Sequence, residues 1–229
     1  MAKNTIHGLM KVGTSEFMQQ LYNAGEIFMK ELLWFRKLEN DKQRSDIHEG
    51  SYMLKQIPYI KIRTAEGKEI EFSTLGKGIQ LTSTAKLRGH YEDLMANIYC
   101  MYGFDTKLCS KANTVDPSIA EFGDTAILIF NPSEFLNRIQ NALIKMNYKP
   151  YFRMVNYYDE ESYESDNMFA FWKPRLFEPQ NEFRIFIERE EYGDLSLKIG
   201  PLYDIAEIQP IEHILKKMKF EIIQTNKQI

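Results

Sequence analysis

Short alternating or continuous apolar runs dominate the chain, and stretches with helical spacing are few. Alternation at period two sends successive side chains to opposite faces of a strand, whereas spacing of three to four marks one face of a helix. Ile6 to Val12 reads as a first strand. Thr14 or Ser15 then stands at a helix N-cap, Phe17, Met18, Leu21 and Tyr22 share a face over Glu16 to Ala24, and Gly25 suits the residue after the helix. Ile27 to Met29 follows as a short strand and Leu32 to Leu38 as a short helix. Ser51 to Ile57 and Tyr59 to Thr64 are strands broken by Pro58, and the turn Glu66-Gly67-Lys68 leads into Glu69 to Phe72. Ile79 to Leu87 and Asn97 to Tyr102 are further strands, and Asp105 to Ile119 is a polar, irregular loop.

The continuous apolar run Thr125 to Phe130 suits a strand buried on both faces. The clearest helix signal lies behind it. Asn131 caps, Pro132 takes the first helical position, Glu134 completes a capping box, and Phe135, Leu136, Ile139, Leu143 and Met146 form one stripe. A helix is predicted over Pro132 to Met146. Pro150 to Tyr158 reads as a strand and Asp159 to Asp166 as an acidic turn. Leu195 to Ile199 and Asp204 to Ile208 are strands, and Pro210 starts a last helix. Neither a repeat nor a linker interrupts this order, so one α+β domain over residues 1–229 is expected, built on an antiparallel or mixed sheet with a few short helices.

Chemistry concentrates in Glu178 to Glu188, which reads as a loop running into a strand. Phe183, Ile185 and Ile187 fall on one face; Gln180, Glu182 and Arg184 fall on the other if the strand begins by Gln180. Polar residues on that face fit either the solvated side of an ordinary sheet or a site at the mouth of a strand. The polar run Glu39 to Gly50 is open in the same way. It is either a surface loop or a binding loop whose Arg44, Asp46 and Glu49 fold over a ligand. The aromatic residues Phe169, Phe171 and Trp172 suit a core, or a stacking surface for bases.

Composition narrows the function classes. The net charge of −3 gives no support for strong nonspecific binding to nucleic acid, although Lys77, Lys86 and Arg88 allow a local basic patch. Two cysteines and four scattered histidines form neither a disulfide framework nor a zinc pattern. There is no GxxxxGK[ST] and no GxGxxG, and Gly76-Lys77-Gly78 is too sparse to cradle phosphates. No apolar run follows the lysine near the N-terminus and none approaches the about 20 residues of a membrane span, so a cytoplasmic protein is expected.

Five pieces in order resemble the DarT-like ADP-ribosyltransferase toxins of bacterial toxin–antitoxin and phage-defence systems. They are Lys11-Val12-Gly13-Thr14 before a helix and Gly25; Trp34-Phe35-Arg36 with Arg44, Asp46 and Glu49-Gly50; Tyr99-Cys100-Met101-Tyr102; Phe122-Gly123-Asp124 before a buried strand and a capped helix; and Lys173, Phe177 and Gln180-x-Glu182-Phe183-Arg184. The resemblance spans roughly residues 6–190. It implies an ADP-ribosyltransferase-like fold and NAD as co-substrate, with no metal. By it, Glu182 is the catalytic carboxylate, and Gln180, Arg184 and Tyr102 meet the acceptor. Lys11, Gly13, Thr14, Arg36, Arg44 and Asp46 lie near NAD. Lys11 stands where the family carries a His or Arg. The middle-strand Ser or Thr has two candidate places, Thr82 to Thr84 or the Tyr99 to Tyr102 strand. The implied acceptor is RNA, DNA or protein, and the implied partners are an antitoxin and a chaperone. Two other readings compete: a nuclease holding Mg²⁺ on Asp46, Glu49 and Glu182, and a non-catalytic binding module.

Overall fold

The computed structural model describes residues 4–38, 46, 48–57, 61–71, 85–111 and 114–220. Its first part contains β1 (Ile6–Gly13), α1 (Ser15–Ala24), β2 (Glu26–Glu31), a 3-10 turn over Leu32–Lys37, β3 (Ser51–Ile57), β4 (Lys61–Arg63), β5 (Glu69–Glu71) and β6 (Ala85–His90). Next come β7 (Ala96–Asp105), α2 (Thr106–Lys111), a 3-10 turn over Pro117–Phe122, β8 (Thr125–Ile129) and α3 (Pro132–Lys145). The rest is β9 (Pro150–Met154), β10 (Asn156–Tyr158), β11 (Trp172–Pro174), a 3-10 turn over Arg175–Gln180, β12 (Glu182–Glu188), β13 (Leu195–Lys198), β14 (Ala206–Pro210) and α4 (Ile211–Lys217). The α+β class with mostly antiparallel pairing agrees with the sequence pattern.

The main sheet is organised around β7, the longest strand. One edge of β7 is taken by β12, from Glu182↔Tyr102 to Glu188↔Ala96, with β9 beyond it. The opposite edge is shared. β1 pairs there with Tyr102 to Asp105, and β2 pairs with Asn97 and Ile98. Between these two contacts, neither β1 nor β2 pairs with Tyr99, Cys100 or Met101, so the sheet forks. β8 and β14 extend it past β1, and β13 extends it past β2.

Side-chain parity divides the sheet into two faces. Leu9, Tyr99, Met101, Ile127, Ile129, Phe183 and Ile185 lie on the face covered by α1 and α3, where Met18, Leu21, Phe135, Ile139 and Leu143 meet them. Burying each such Leu, Ile or Phe is worth about 1.5–3 kcal/mol, so this face supplies much of the hydrophobic stabilisation. One half of the predicted capping box forms at the start of α3: the Asn131 Oδ1 accepts from the Glu134 N–H at 3.1 Å, whereas the Glu134 carboxylate accepts from Arg138 Nε and the Asn131 N–H donates to the Ile205 carbonyl. The opposite face carries two separate apolar clusters. One gathers Met10, Val12, Tyr102 and Phe104 under α4, and the other gathers Ile98, Ala170, Phe171 and Phe186. Cys100, Glu182 and Arg184 lie between them by register.

Several expectations are corrected. The loop predicted over Asp105 to Ile119 contains α2 and begins the 3-10 turn at Pro117. Asp105 Oδ1 accepts from the Leu108 N–H at 2.8 Å, and Asp116 Oδ1 accepts from the Ser118 N–H at 2.9 Å, so each aspartate starts a helical turn. The short helix predicted over Leu32 to Leu38 is present as a 3-10 helix over Leu32–Lys37. The strand predicted over Pro150 to Tyr158 breaks at Val155, where the chain leaves β12 as β9 and continues as β10, paired in parallel with β11. Pro210 ends β14, and the last helix starts at Ile211. The aromatics Phe169 and Phe171 pack on Phe186, so they are core. Arg44, Lys77 and Thr82 to Thr84 lie outside the described residues, as do parts of the strands predicted over Tyr59 to Thr64, Glu69 to Phe72 and Ile79 to Leu87.

The glycine after α1 is conformationally required. Gly25 has φ of 65°, a left-handed value, and its N–H returns to the Leu21 carbonyl at 2.9 Å. A Cβ there would stand 2.0 Å from the Gly200 carbonyl oxygen. Gly25→Ala is therefore expected to lower the unfolding free energy by more than about 2 kcal/mol, the backbone cost plus the collision, read from urea denaturation curves with unchanged slope.

Candidate active site

β12 begins at Glu182, one residue after Asn181, whose φ of 33° turns the chain. Gln180 therefore ends the preceding 3-10 turn and does not project from the strand, which corrects the expected face of three. The polar face of β12 is also not solvated. Glu182 is 4% exposed and Arg184 is 0% exposed. A charged face buried this completely needs partners, because an unpaired ion inside a protein is strongly disfavoured.

The partners come from three distant segments. Arg184 Nε donates to Glu182 Oε1 at 2.7 Å. Its other nitrogens reach Glu49 Oε1 at 2.8 Å, Glu49 Oε2 at 3.1 Å and the Ala170 carbonyl. Lys173 Nζ donates to Glu182 Oε2 at 3.0 Å and to Gln180 Oε1 at 2.9 Å. Asp46, 2% exposed, accepts from the His48 N–H at 2.9 Å and lies within electrostatic reach of Lys173 and Arg184. The Glu182 backbone is held too: its N–H donates to the Tyr157 hydroxyl at 2.8 Å, and its carbonyl accepts from the Val155 N–H at 2.8 Å. The break in the strand at Val155 places both of these anchors.

Three carboxylates thus face two cations. Burial works against the ionised Glu182, but Arg184 and Lys173 outweigh it and hold its pKa well below the ordinary glutamate range. The shortage of positive charge falls on the other two. Burial pushes Asp46 and Glu49 up, against the attraction of Lys173 and Arg184 respectively. Burial and the neighbouring Glu182 raise the Cys100 thiol to about 12, so it stays protonated against that carboxylate.

A cavity of about 810 Å³ threads the fork between β1 and β2 and reaches this cluster. Gly13, Thr14 and Phe17 line it on the β1–α1 side, Phe28 and Lys30 on the β2 side, and Glu49, Lys173, Gln180, Glu182 and Arg184 at the cluster. Phe17 and Phe28 are large rings exposed to solvent at this cavity. Lys11 shares a face with Leu9, opposite Glu182 by register, and its ammonium donates at 2.7 Å to the Cys100 carbonyl inside the fork. Thr14 takes the N-cap position of α1, its side chain making no capping bond.

The residues expected near a ligand therefore separate into groups. Glu182, Gln180, Tyr102, Lys11, Gly13 and Thr14 all line the cavity. Arg184 lines it as well, but at least four of its five N–H groups are spent on Glu182, Glu49 and Ala170, which makes it a clamp rather than a free donor. Arg36 donates to the Tyr91 carbonyl at 2.9 Å and Asp46 sits behind the cluster; neither lines the cavity. Tyr157 was not anticipated as a site residue, and Lys173, one of the residues that carry the resemblance, was given no role. Apart from that resemblance, the signal for Lys173 was a lone lysine inside the aromatic run Phe169 to Phe177. Among the described residues no group of three or more His, Cys, Asp or Glu side chains could hold a metal ion. None of their helices is long and apolar enough to cross a membrane.

Removing the guanidinium should strand two buried carboxylates. Arg184→Met is expected to cost about 3–5 kcal/mol in urea unfolding, far more than a typical surface ion pair. The depressed pKa of Glu182 sets a pH dependence. Its contribution to stability is complete above the ordinary glutamate value of 4.5 and is lost as pH falls below it towards the folded pKa. The stability difference between wild type and Glu182→Gln should accordingly be flat near neutrality and shrink in acid. A difference that grew in acid would contradict the assignment. Comparison of the chain with protein-family models, curated proteins and solved structures finds no match, so the site stands on its own geometry.

Proposed function

We propose that the cavity binds NAD and that Glu182 is the carboxylate of an ADP-ribosyl transfer. The observation that carries this reading is an ionised, immobilised carboxylate at the floor of a cavity of about 810 Å³. In the transfer, the bond between ribose C1′ and the nicotinamide nitrogen breaks, and the electron pair leaves with nicotinamide. Positive charge develops on the ribose ring. C1′ then bonds to an acceptor nucleophile, which loses its proton. A carboxylate fixed before the reaction stabilises that positive charge without reorganising. Glu182 has the properties for this role: it is desolvated, anionic at neutral pH and anchored through both backbone and side chain.

The rest of the cavity is compatible with a dinucleotide. Gly13 and Thr14 line the cavity at the start of α1. The exposed rings of Phe17 and Phe28, with the Lys30 ammonium 4.9 Å from the Phe28 centroid, offer planar and cationic contacts. The ADP-ribosyltransferase-like fold belongs to the same proposal and rests on the sequence resemblance. The acceptor is an RNA, DNA or protein nucleophile, and the resemblance to toxins adds an antitoxin as partner. The metal-nuclease reading is weaker on the same geometry, because Glu49 and Glu182 direct their oxygens to Arg184 and Lys173.

Incubation with NAD should release nicotinamide and place label from the ADP-ribose half of NAD on one fraction of RNA, DNA or lysate protein. Glu182→Gln, which keeps the side-chain shape without the charge, is expected to lower nicotinamide release by at least about a hundredfold, the scale of losing one preorganised electrostatic group. Release by folded wild type that Glu182→Gln leaves unchanged would defeat the assignment.

A further inference from the structure

Lys173 is buried at the junction of the Gln180 turn and β12, in a cluster where two cations face three carboxylates. Arg184 divides itself between Glu182, through an Nε–Oε1 bond of 2.7 Å, and both oxygens of Glu49. Lys173 adds a second cation on the other Glu182 oxygen, at 3.0 Å, and the same ammonium holds Gln180 Oε1 at 2.9 Å. Stability does not account for it. Burying an ammonium loses several kcal/mol of hydration, and a buried ion pair exchanged for apolar groups of similar size is often neutral or stabilising. What a second buried cation does supply is geometry.

The backbone supports this. Lys173 lies directly opposite Tyr157 in the parallel β10–β11 pair. Tyr157 accepts from the Glu182 N–H at 2.8 Å while Lys173 takes the carboxylate. One small ribbon outside the main sheet therefore grips Glu182 at both ends. The Phe177 ring, 4.5 Å from the ammonium, closes the remaining side and belongs to the same 3-10 turn as Gln180.

We propose that Lys173 is a positioning residue that, together with Tyr157, locks the Glu182 carboxylate and the Gln180 amide into one arrangement at the cavity floor. This rests on the transferase reading for its consequence in catalysis but not for its geometry. Two variants test it. Lys173→Met removes both charge and donor; Lys173→Gln keeps a donor without charge. The first readout needs no reaction: the Glu182 carboxyl carbon is followed by pH titration in ¹³C-glutamate-labelled protein, assigned with Glu182→Gln. Lys173→Met should raise the proton affinity of Glu182 by about tenfold or more, as expected for losing an opposite charge in contact.

The second readout is steady-state NAD cleavage. For Lys173→Met, kcat should fall by about ten- to a hundredfold with KM changed less than about threefold, because a carboxylate that is misplaced weakens the transition state more than binding. Lys173→Gln should recover part of kcat while its acid limb stays shifted. A folded Lys173→Met with Glu182 titration unchanged would overturn the proposal. If Lys173→Met does not fold, the Lys173→Gln titration decides in its place. A wild type that never cleaves NAD would end the transferase reading, and the titration would still decide the role of Lys173.

Discussion

Burial of a charged strand face is the constraint on which the rest depends. β12 turns Glu182 and Arg184 into the protein between two apolar clusters, where neither can keep its water. The guanidinium answers by bonding to Glu182 beside it, to Glu49 ahead of β3, and to the Ala170 carbonyl. Three stretches far apart in sequence are thus tied at one side chain. Attraction between ions in such surroundings only offsets their lost hydration when the geometry is good. The network accordingly favours a single arrangement of these segments over looser ones.

The fork at β7 is the second organising feature. A strand flanked on both edges along its whole length would leave no room for a ligand in the sheet. Here β1 and β2 pair with different ends of β7, and the stretch between them opens to a cavity. An unpaired carbonyl at such a fork needs a donor, and the Lys11 ammonium supplies one to Cys100 at 2.7 Å. The fork and the buried network meet at Cys100, which pairs in register with Arg184 and whose thiol faces Glu182. The cavity therefore ends on a carboxylate that the fold has already paired and oriented.

Unequal sharing of charge then differentiates the three carboxylates. Glu182 takes contacts from both cations and stays ionised, whereas burial favours a proton on Asp46 or Glu49. Environments that push neighbouring acids in opposite directions are a recurrent way of giving them separate roles. Glu49 lines the cavity as Glu182 does and Asp46 does not, so what sets Glu182 apart is its contact with both cations.

The local elements were legible from residue order because their causes are local. The Asn131-Pro132-x-Glu134 start and the apolar stripe of α3 specify that helix without reference to the rest of the chain. The same holds for Gly25 after α1 and for the alternation of β12 from Phe183 onward. The Gln180-x-Glu182 spacing also marked a stretch whose Gln180 and Glu182 line the cavity. Tertiary structure decided everything that depends on contact between distant segments. Nothing in the pattern of Pro150 to Tyr158 announces a break at Val155, because beyond it the chain leaves β12 to pair with β11, a strand that comes later in the sequence. Alternation could not tell a solvated polar face from a buried one, since only the covering segments around Glu49 and Ala170 exclude the water. Lys173 stood in the sequence as a charge among aromatics and as one residue of the resemblance, without a role. Its meaning comes from the ammonium meeting two oxygens, seven and nine residues further along, once the turn has folded them back.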